Sequence, residues 1–143
     1  MGPGEIDVHV IRRHLAALRE SLHVLGLHSG VSAEDLDADT ESRWIVERGL
    51  QLCAQNALDI ATHIAASRGR DVPEYASAID ELGRLGVLDR RFAAEFRNVA
   101  GFRNVLVHGY LDVDLNVLCS LLNQHLGDFE VFATQVEAYL ATL

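Results

Sequence analysis

Hydrophobic residues recur at steps of three and four along most of this chain, which is the spacing of one face of an amphipathic helix. The first such segment runs from about Ile6 to Leu27, and the second begins at Thr40, a suitable N-cap, and ends before Gly69. Residues 29–39 are polar, acidic and contain glycine, so they predict a loop with room for one helical turn after Ser32. The positions predicted to face inward are Val8, Ile11, Leu15, Leu18, Leu22 and Leu25 in the first helix and Val46, Leu50, Cys53, Ala57, Ile60 and Ile64 in the second.

The second half of the chain continues the same periodicity. A short helix is predicted from about Tyr75 to Leu85, with Gly86 as its stop, and Asp89 is predicted to cap the helix that follows. A last helix is predicted from about Asp114 to Leu140. The residues that share one face are Phe92, Phe96, Val99, Arg103 and Leu106 in the former helix and Leu118, Leu122, Phe129, Val136 and Leu140 in the latter.

Long amphipathic helices joined by short turns favour an up-and-down bundle. The chain has 143 residues, which is enough for one domain with a sizeable core. We therefore predict an all-α fold, a single domain over residues 1–143 with four main helices and one short helix.

Composition bears on the cellular compartment that is expected for such a domain. No run of about 18 uninterrupted apolar residues is present, so no membrane span is expected. The residues after Met1 have neither a basic nor an apolar leader region, so no secretion signal is expected and the predicted location is the cytoplasm. In that reducing compartment, Cys53 and Cys119 are expected to be two buried thiols rather than a disulfide.

The net charge of −9 disfavours one class of function, high-affinity generic binding to nucleic acid. Such binding normally uses a basic face that displaces counterions. Here the longest basic runs are the pairs Arg12-Arg13 and Arg90-Arg91. A small, locally basic cleft, or dependence on a partner or on a particular RNA shape, remains open.

The segment from Gly101 to Tyr110 concentrates polar chemistry at the end of a helix. Arg103 falls on the apolar face, where a guanidinium must be paired or must face a wet cleft. Asn104 and His108 are spaced i, i+4, and Gly109 predicts that the helix stops just before Tyr110. The spacing alone favours a structural interpretation, in which the arginine reaches solvent and the histidine acts as a C-terminal cation.

A glycine inside a helix costs about 1 kcal/mol relative to alanine, and it often marks the close approach of another helix. Gly101 lies two residues before Arg103. It therefore indicates a contact surface beside these polar residues.

Metal or nucleotide chemistry finds little support in the sequence. None of the seven histidines pairs with another at i, i+4, no Cys-x-x-Cys is present, and no glycine-rich phosphate loop occurs. We expect neither a metal nor another cofactor. Glu47 and Asp59 on the second helix are candidates to line a cleft, although positions on a solvated face are the favoured interpretation.

The order Arg103-Asn104, three apolar residues, His108 and Tyr110 resembles the Arg-polar-x3-His motif of the HEPN superfamily with its His-x-Tyr extension. In particular the chain resembles HepT, the toxin of HepT/MntA toxin–antitoxin systems. The likeness covers residues 72–110 and 47–64, which is roughly half of the chain. Gly109 is a departure, because many members of the family carry a polar residue there.

The resemblance implies a metal-independent endoribonuclease that acts on RNA as the toxin of a type VII-like toxin–antitoxin system. In it, Arg103 would bind phosphate, His108 would transfer protons and Asn104 would orient His108 or hold the scissile phosphate. The resemblance also implies a homodimer with a composite site. It further implies that a MntA-like nucleotidyltransferase antitoxin transfers AMP to Tyr110. The alternative is a non-catalytic HEPN module that binds RNA or a protein partner.

Overall fold

A computed structural model describes residues 5–108 and 113–143 of the chain, except for the side chains of Val107 and His108. All regular structure in these ranges is helical, which confirms the predicted all-α bundle. None of the helices described there is long and apolar enough to span a bilayer. The helices are α1 (Val8–Gly26), α2 (Ala33–Ala38), α3 (Thr40–Ser67), α4 (Tyr75–Arg84), α5 (Arg90–Phe96), α6 (Val99–His108), α7 (Leu115–Gln124) and α8 (Leu126–Leu140).

The segment between the first two long helices is more ordered than the sequence predicts. The helical turn expected after Ser32 is a six-residue helix, α2, whose start is fixed by a capping box between Ser32 and Asp35. The predicted N-cap Thr40 is wrong by one position, because Thr40 is the first residue of α3. Asp39 is the cap, and its carboxylate accepts a hydrogen bond from an amide of the first turn.

The helix predicted to follow Asp89 is two helices, α5 and α6, although Asp89 does cap the first of them. At the break, the amide of Asn98 donates to the carbonyl of Glu95, and the next bond along also spans three residues instead of four. No proline or glycine causes the break. Instead, the Arg97 side chain turns towards Asp80 of α4, 2.9 Å from its carboxylate.

The last predicted helix is also divided, into α7 and α8. His125 is the C-cap of α7 and the N-cap of α8, with φ of −121° and ψ of 1°. Its ring nitrogen Nδ1 lies 3.2 Å from the carboxylate of Asp128, one turn further on. The break leaves the inward face intact, since all five predicted positions, Leu118, Leu122, Phe129, Val136 and Leu140, are buried.

The core is organised around α3, which packs against α1, α4, α6, α7 and α8. Its most extensive contact is with α1, where Gly49 faces Leu25. A Cβ atom added to Gly49 would lie 2.6 Å from a terminal methyl carbon of Leu25, so this glycine allows the two helices to meet. Across the bundle, the Phe96 ring stacks on Phe132 with centroids 5.0 Å apart and attaches α5 to α8.

Both cysteines are free thiols, as expected, but only one of them is buried. Cys53 is fully buried in α3, and this burial raises the pKa of its thiol to about 12. Cys119 is half-buried rather than buried, because it lies at the edge of the core on α7. Cys53 is therefore a packing residue with little thiolate character at neutral pH.

The contact at Gly49 gives a test of the packing. Gly49→Val should lower the free energy of unfolding by about 1–3 kcal/mol, because the added atoms overpack the boundary between α1 and α3. Denaturant unfolding followed by circular dichroism measures this change. Gly127→Val is the matched control, since nothing lies within 4 Å of a Cβ at Gly127, and a loss of equal size there would contradict the packing argument.

Candidate active site

Arg103 lies on α6 and is half-buried, so its guanidinium does not simply extend into solvent. Its Nε donates a hydrogen bond to Oε1 of Gln55 on α3 at 2.8 Å. The sequence predicts that a cation on this face needs a partner, and Gln55 is that partner. Burial and a fixed hydrogen bond together hold the guanidinium in one place.

Gln55 is itself fixed by a second bond, because its Nε2 donates to Oδ1 of Asp59 at 2.8 Å. The orientation of the amide follows from chemistry alone: a carboxylate only accepts and a guanidinium only donates. The amide nitrogen must therefore face Asp59, and the amide oxygen must face Arg103. Asp59 thus belongs to the wall of the site rather than to a solvated face.

Tyr75, the first residue of α4, completes the support of the arginine. The central carbon of the Arg103 guanidinium lies 5.2 Å from the centre of the Tyr75 ring, within the range of a cation–π contact. The Tyr75 hydroxyl also lies 3.4 Å from Nε2 of Gln55. Three helices, α3, α4 and α6, therefore meet at one guanidinium.

Asn104 is exposed, and its Oδ1 accepts a hydrogen bond of 3.2 Å from Nη1 of Arg103. The structure thus brings together two of the four residues singled out by the sequence motif. The backbone of α6 is described as far as His108, at the predicted helix end. The His108 side chain, Gly109 and Tyr110 lie outside the described residues.

Two bonds occupy only part of the Arg103 guanidinium. A guanidinium carries five N–H donors, and Gln55 and Asn104 take one each. The remaining donors make no hydrogen bond to any residue in the described ranges. Such a fork can bind two oxygen atoms of a phosphate at once.

Other titratable residues have structural roles in the described part of the chain. His14 is half-buried, and its Nδ1 lies 2.8 Å from Oδ1 of Asn56. The ring of His63 lies 3.3 Å from the backbone amide of Asp7. Glu47 is near Arg43, and burial raises the pKa of its carboxyl, but it takes no part in the Arg103 network. No group of three potential metal ligands occurs among residues 5–108 and 113–143.

Gly101 does not mark a close helix within the described residues, because a Cβ added there meets no atom of them within 4 Å. An apolar groove of about 440 Å³ lies between the α5–α6 and α7–α8 segments on the side of α6 that carries Phe102 and Val105. Val105 and Val117, which line it, are 50% and 44% exposed. Any partner of this surface must come from outside the described residues.

Gln55 and Tyr75 are the functional candidates that sequence reasoning missed. Gln55 is spaced i, i+4 from Asp59, so the two were identifiable as neighbours on one helix. Their contact with Arg103 depends instead on how α3, α4 and α6 pack, and helix periodicity carries no such information.

Comparison with known proteins places this geometry in context. Residues 8–136 match the family described as Ribonuclease HepT-like. The chain is 31% identical over 140 residues to the tRNA nuclease HepT of Aphanizomenon flos-aquae, an alignment that covers 96% of this chain and 95% of that protein. It is 27% identical over 90 residues to the mRNA nuclease HepT of Shewanella oneidensis, covering 62% of this chain and 68% of that protein.

The fold is also similar to solved structures. One is the tri-AMPylated Shewanella oneidensis HEPN toxin in complex with MNT antitoxin. The TM-score is 0.78 at 22% identity, with 90% of this chain and 97% of that chain covered. At this identity the likeness shows a shared helical fold.

Proposed function

The chain belongs to the family of HepT-like ribonucleases, and from this premise we propose that it is a metal-independent endoribonuclease. We further propose that it is the toxin of a type VII-like toxin–antitoxin system. The observation that carries the proposal is the fixed guanidinium of Arg103, with donors left over, in an Arg-Asn-x3-His-x-Tyr motif. The similarity to two proteins named as tRNA and mRNA nucleases supports RNA as the substrate.

The proposed reaction is attack of a ribose 2′-hydroxyl on the adjacent phosphate. A base removes the hydroxyl proton, the 2′-oxygen bonds to phosphorus, and the 5′-oxygen leaves with a proton from an acid. His108 serves as the proton-transfer group, since imidazole titrates near neutral pH. Arg103 stabilises the charge that develops on the phosphorane oxygens. Asn104, already bonded to Arg103, orients His108 or holds the phosphate.

The position of the site makes the arginine necessary. The end of a helix where carbonyl groups point outward is electrically negative, so it repels a phosphate rather than binding it. Arg103 has to offset that field, and one guanidinium is a small charge for the task. A second copy of the site close by would supply the additional charge.

We accordingly propose a homodimer in which two motifs share one cleft. Two Arg103 and two His108 side chains would provide paired cations and an acid–base couple. The exposed Val105 and Val117 and the open space at Gly101 support a contact on this side of α6. An isologous interface would bury this apolar surface from both protomers.

Regulation is proposed to act through Tyr110. A protein of similar fold is a tri-AMPylated toxin in complex with its antitoxin, which supports AMP transfer as the mode of control. A MntA-like nucleotidyltransferase would transfer AMP from ATP to the Tyr110 hydroxyl, forming a phosphodiester and releasing pyrophosphate. Its negative charge would compete for the cations that bind RNA, and its bulk would block the cleft.

The catalytic assignment is tested by substitution. Arg103→Ala and His108→Ala should each lower the rate of RNA cleavage by about 100-fold or more, because each removes a group that acts in the transition state. Cleavage is measured on purified protein with a chelator present. Arg91→Ala is the control, an exposed arginine of α5 without an ion pair in the described ranges, and it should cleave at the wild-type rate. Wild-type rates for both site variants would favour a non-catalytic module, as would a wild-type chain that binds RNA without cutting it.

The dimer is tested by light scattering at micromolar concentration. The wild-type chain should have twice the protomer mass of 15.7 kDa. Val105→Glu should shift it towards the monomer and lower cleavage, because a carboxylate would be buried in the interface. Val131→Glu, at a valine that is 41% exposed on α8, should change neither property. A fully active 15.7 kDa species would rule out the composite site.

The regulatory assignment is tested by intact-mass measurement after incubation with the antitoxin and Mg-ATP. The wild-type chain should gain mass in steps of AMP and lose its nuclease activity. Tyr110→Phe should gain none and should still cleave RNA. Tyr139→Phe removes a hydroxyl that pairs with Arg68 on another part of the bundle, so it should still be modified. AMP addition to Tyr110→Phe would place the modification elsewhere.

A further inference from the structure

The basic residues of this chain are all arginines, twelve in number, against 21 acidic residues. Six of them lie within 4.0 Å of a carboxylate oxygen in the described structure: Arg12, Arg19, Arg43, Arg70, Arg84 and Arg97. With carboxylates in such excess, half of the arginines form an ion pair in the described structure.

Arg103 differs from these six in the type of group that holds it. Its recorded contacts are the amide oxygen of Gln55, the amide oxygen of Asn104 and the ring of Tyr75, and all three groups are uncharged. The nearest carboxylate in this network is that of Asp59, which bonds to the far side of the Gln55 amide. One neutral side chain therefore separates the anion from the cation.

We propose that Gln55 is a positioning residue that fixes Arg103 while leaving its positive charge available to a phosphate, with Asp59 serving to orient the Gln55 amide. This inference rests on the proposed ribonuclease function. It assigns to α3 a role that lies outside the Arg-Asn-x3-His-x-Tyr motif.

A neutral acceptor and a carboxylate would hold the guanidinium equally well in space, but they differ in charge. A carboxylate at the position of the Gln55 oxygen would form an ion pair, and the pair would present almost no net charge to an incoming phosphate. An amide gives up that Coulomb attraction and keeps the guanidinium cationic. Asp59 makes this possible, since its carboxylate allows only one orientation of the amide.

The sharpest test exchanges the two acceptor groups without changing their number. In the double variant Gln55→Glu/Asp59→Asn, the asparagine amide donates to the new carboxylate and that carboxylate accepts from Nε of Arg103. Both hydrogen bonds and the net charge of the protein are retained, while the anion moves one side chain closer to Arg103. A purely structural role for Gln55 predicts an active protein.

We expect this double variant to unfold at the wild-type temperature and to cleave RNA with kcat/KM lowered by about 10- to 100-fold. The loss of kcat/KM should become smaller as the pH falls. The introduced carboxyl group faces Arg103, the new asparagine at position 59 and Tyr75, and its protonation removes the negative charge beside the guanidinium. Gln51→Glu is the control: it adds a carboxylate one turn earlier on α3, at a half-buried residue, and should change kcat/KM by less than about twofold. Wild-type kcat/KM in the double variant would overturn the inference.

A second measurement is independent of catalysis. The Nε–H signal of Arg103, assigned by its loss in Arg103→Lys, is followed by NMR during titration with inorganic phosphate. Gln55→Ala should expose this N–H to exchange with water, and the double variant should weaken its response to phosphate relative to Gln51→Glu. An unchanged response in the double variant would overturn the inference.

The two measurements separate the two proposals. A wild-type chain that fails to cleave RNA but shows the expected pattern of phosphate response contradicts the ribonuclease proposal alone. A chain that cleaves RNA equally well with either acceptor beside Arg103 contradicts the role of Gln55 alone.

Discussion

The burial of α3 is the constraint on which the rest of the structure depends. Eleven of its 28 residues are buried against neighbouring helices, and its polar side chains lie at the margin of that buried face. Gln55 and Asp59 occupy the narrow strip beside the apolar stripe, where side chains are half-buried. Such a strip is dry enough to strengthen a hydrogen bond and open enough to admit a ligand. The same helix therefore supplies the centre of the core and one wall of the site.

Hydrophobic periodicity and capping residues are local properties of the chain. The helix faces and helix ends that depend on them were therefore predictable from the sequence. The buried face of Phe96 and Leu106, the cap at Asp89 and the turn after Ser32 follow from residues within a few positions of one another. The placement of Arg103 on that same face was equally visible.

Features that depend on packing between helices were not predictable from the same pattern. The break between α5 and α6 coincides with the pairing of Arg97 and Asp80, which are far apart in sequence. The contacts of Gln55 and Tyr75 with Arg103 similarly join three helices. Hydrophobic periodicity does not predict contacts between side chains that meet only after the bundle has formed.

The stacking of Phe96 on Phe132 affects the order in which packing contacts can form during synthesis. Phe132 lies in α8, whereas the groups that hold Arg103 belong to residues at or before Asn104. During synthesis, the ribosome releases the partners of Arg103 before it releases Phe132, the aromatic anchor of α5. Small helical domains fold as units, so the Phe96 side chain of α5 completes its packing only when α8 docks. During synthesis, the aromatic packing of α5 therefore stays incomplete until α8 has left the ribosome.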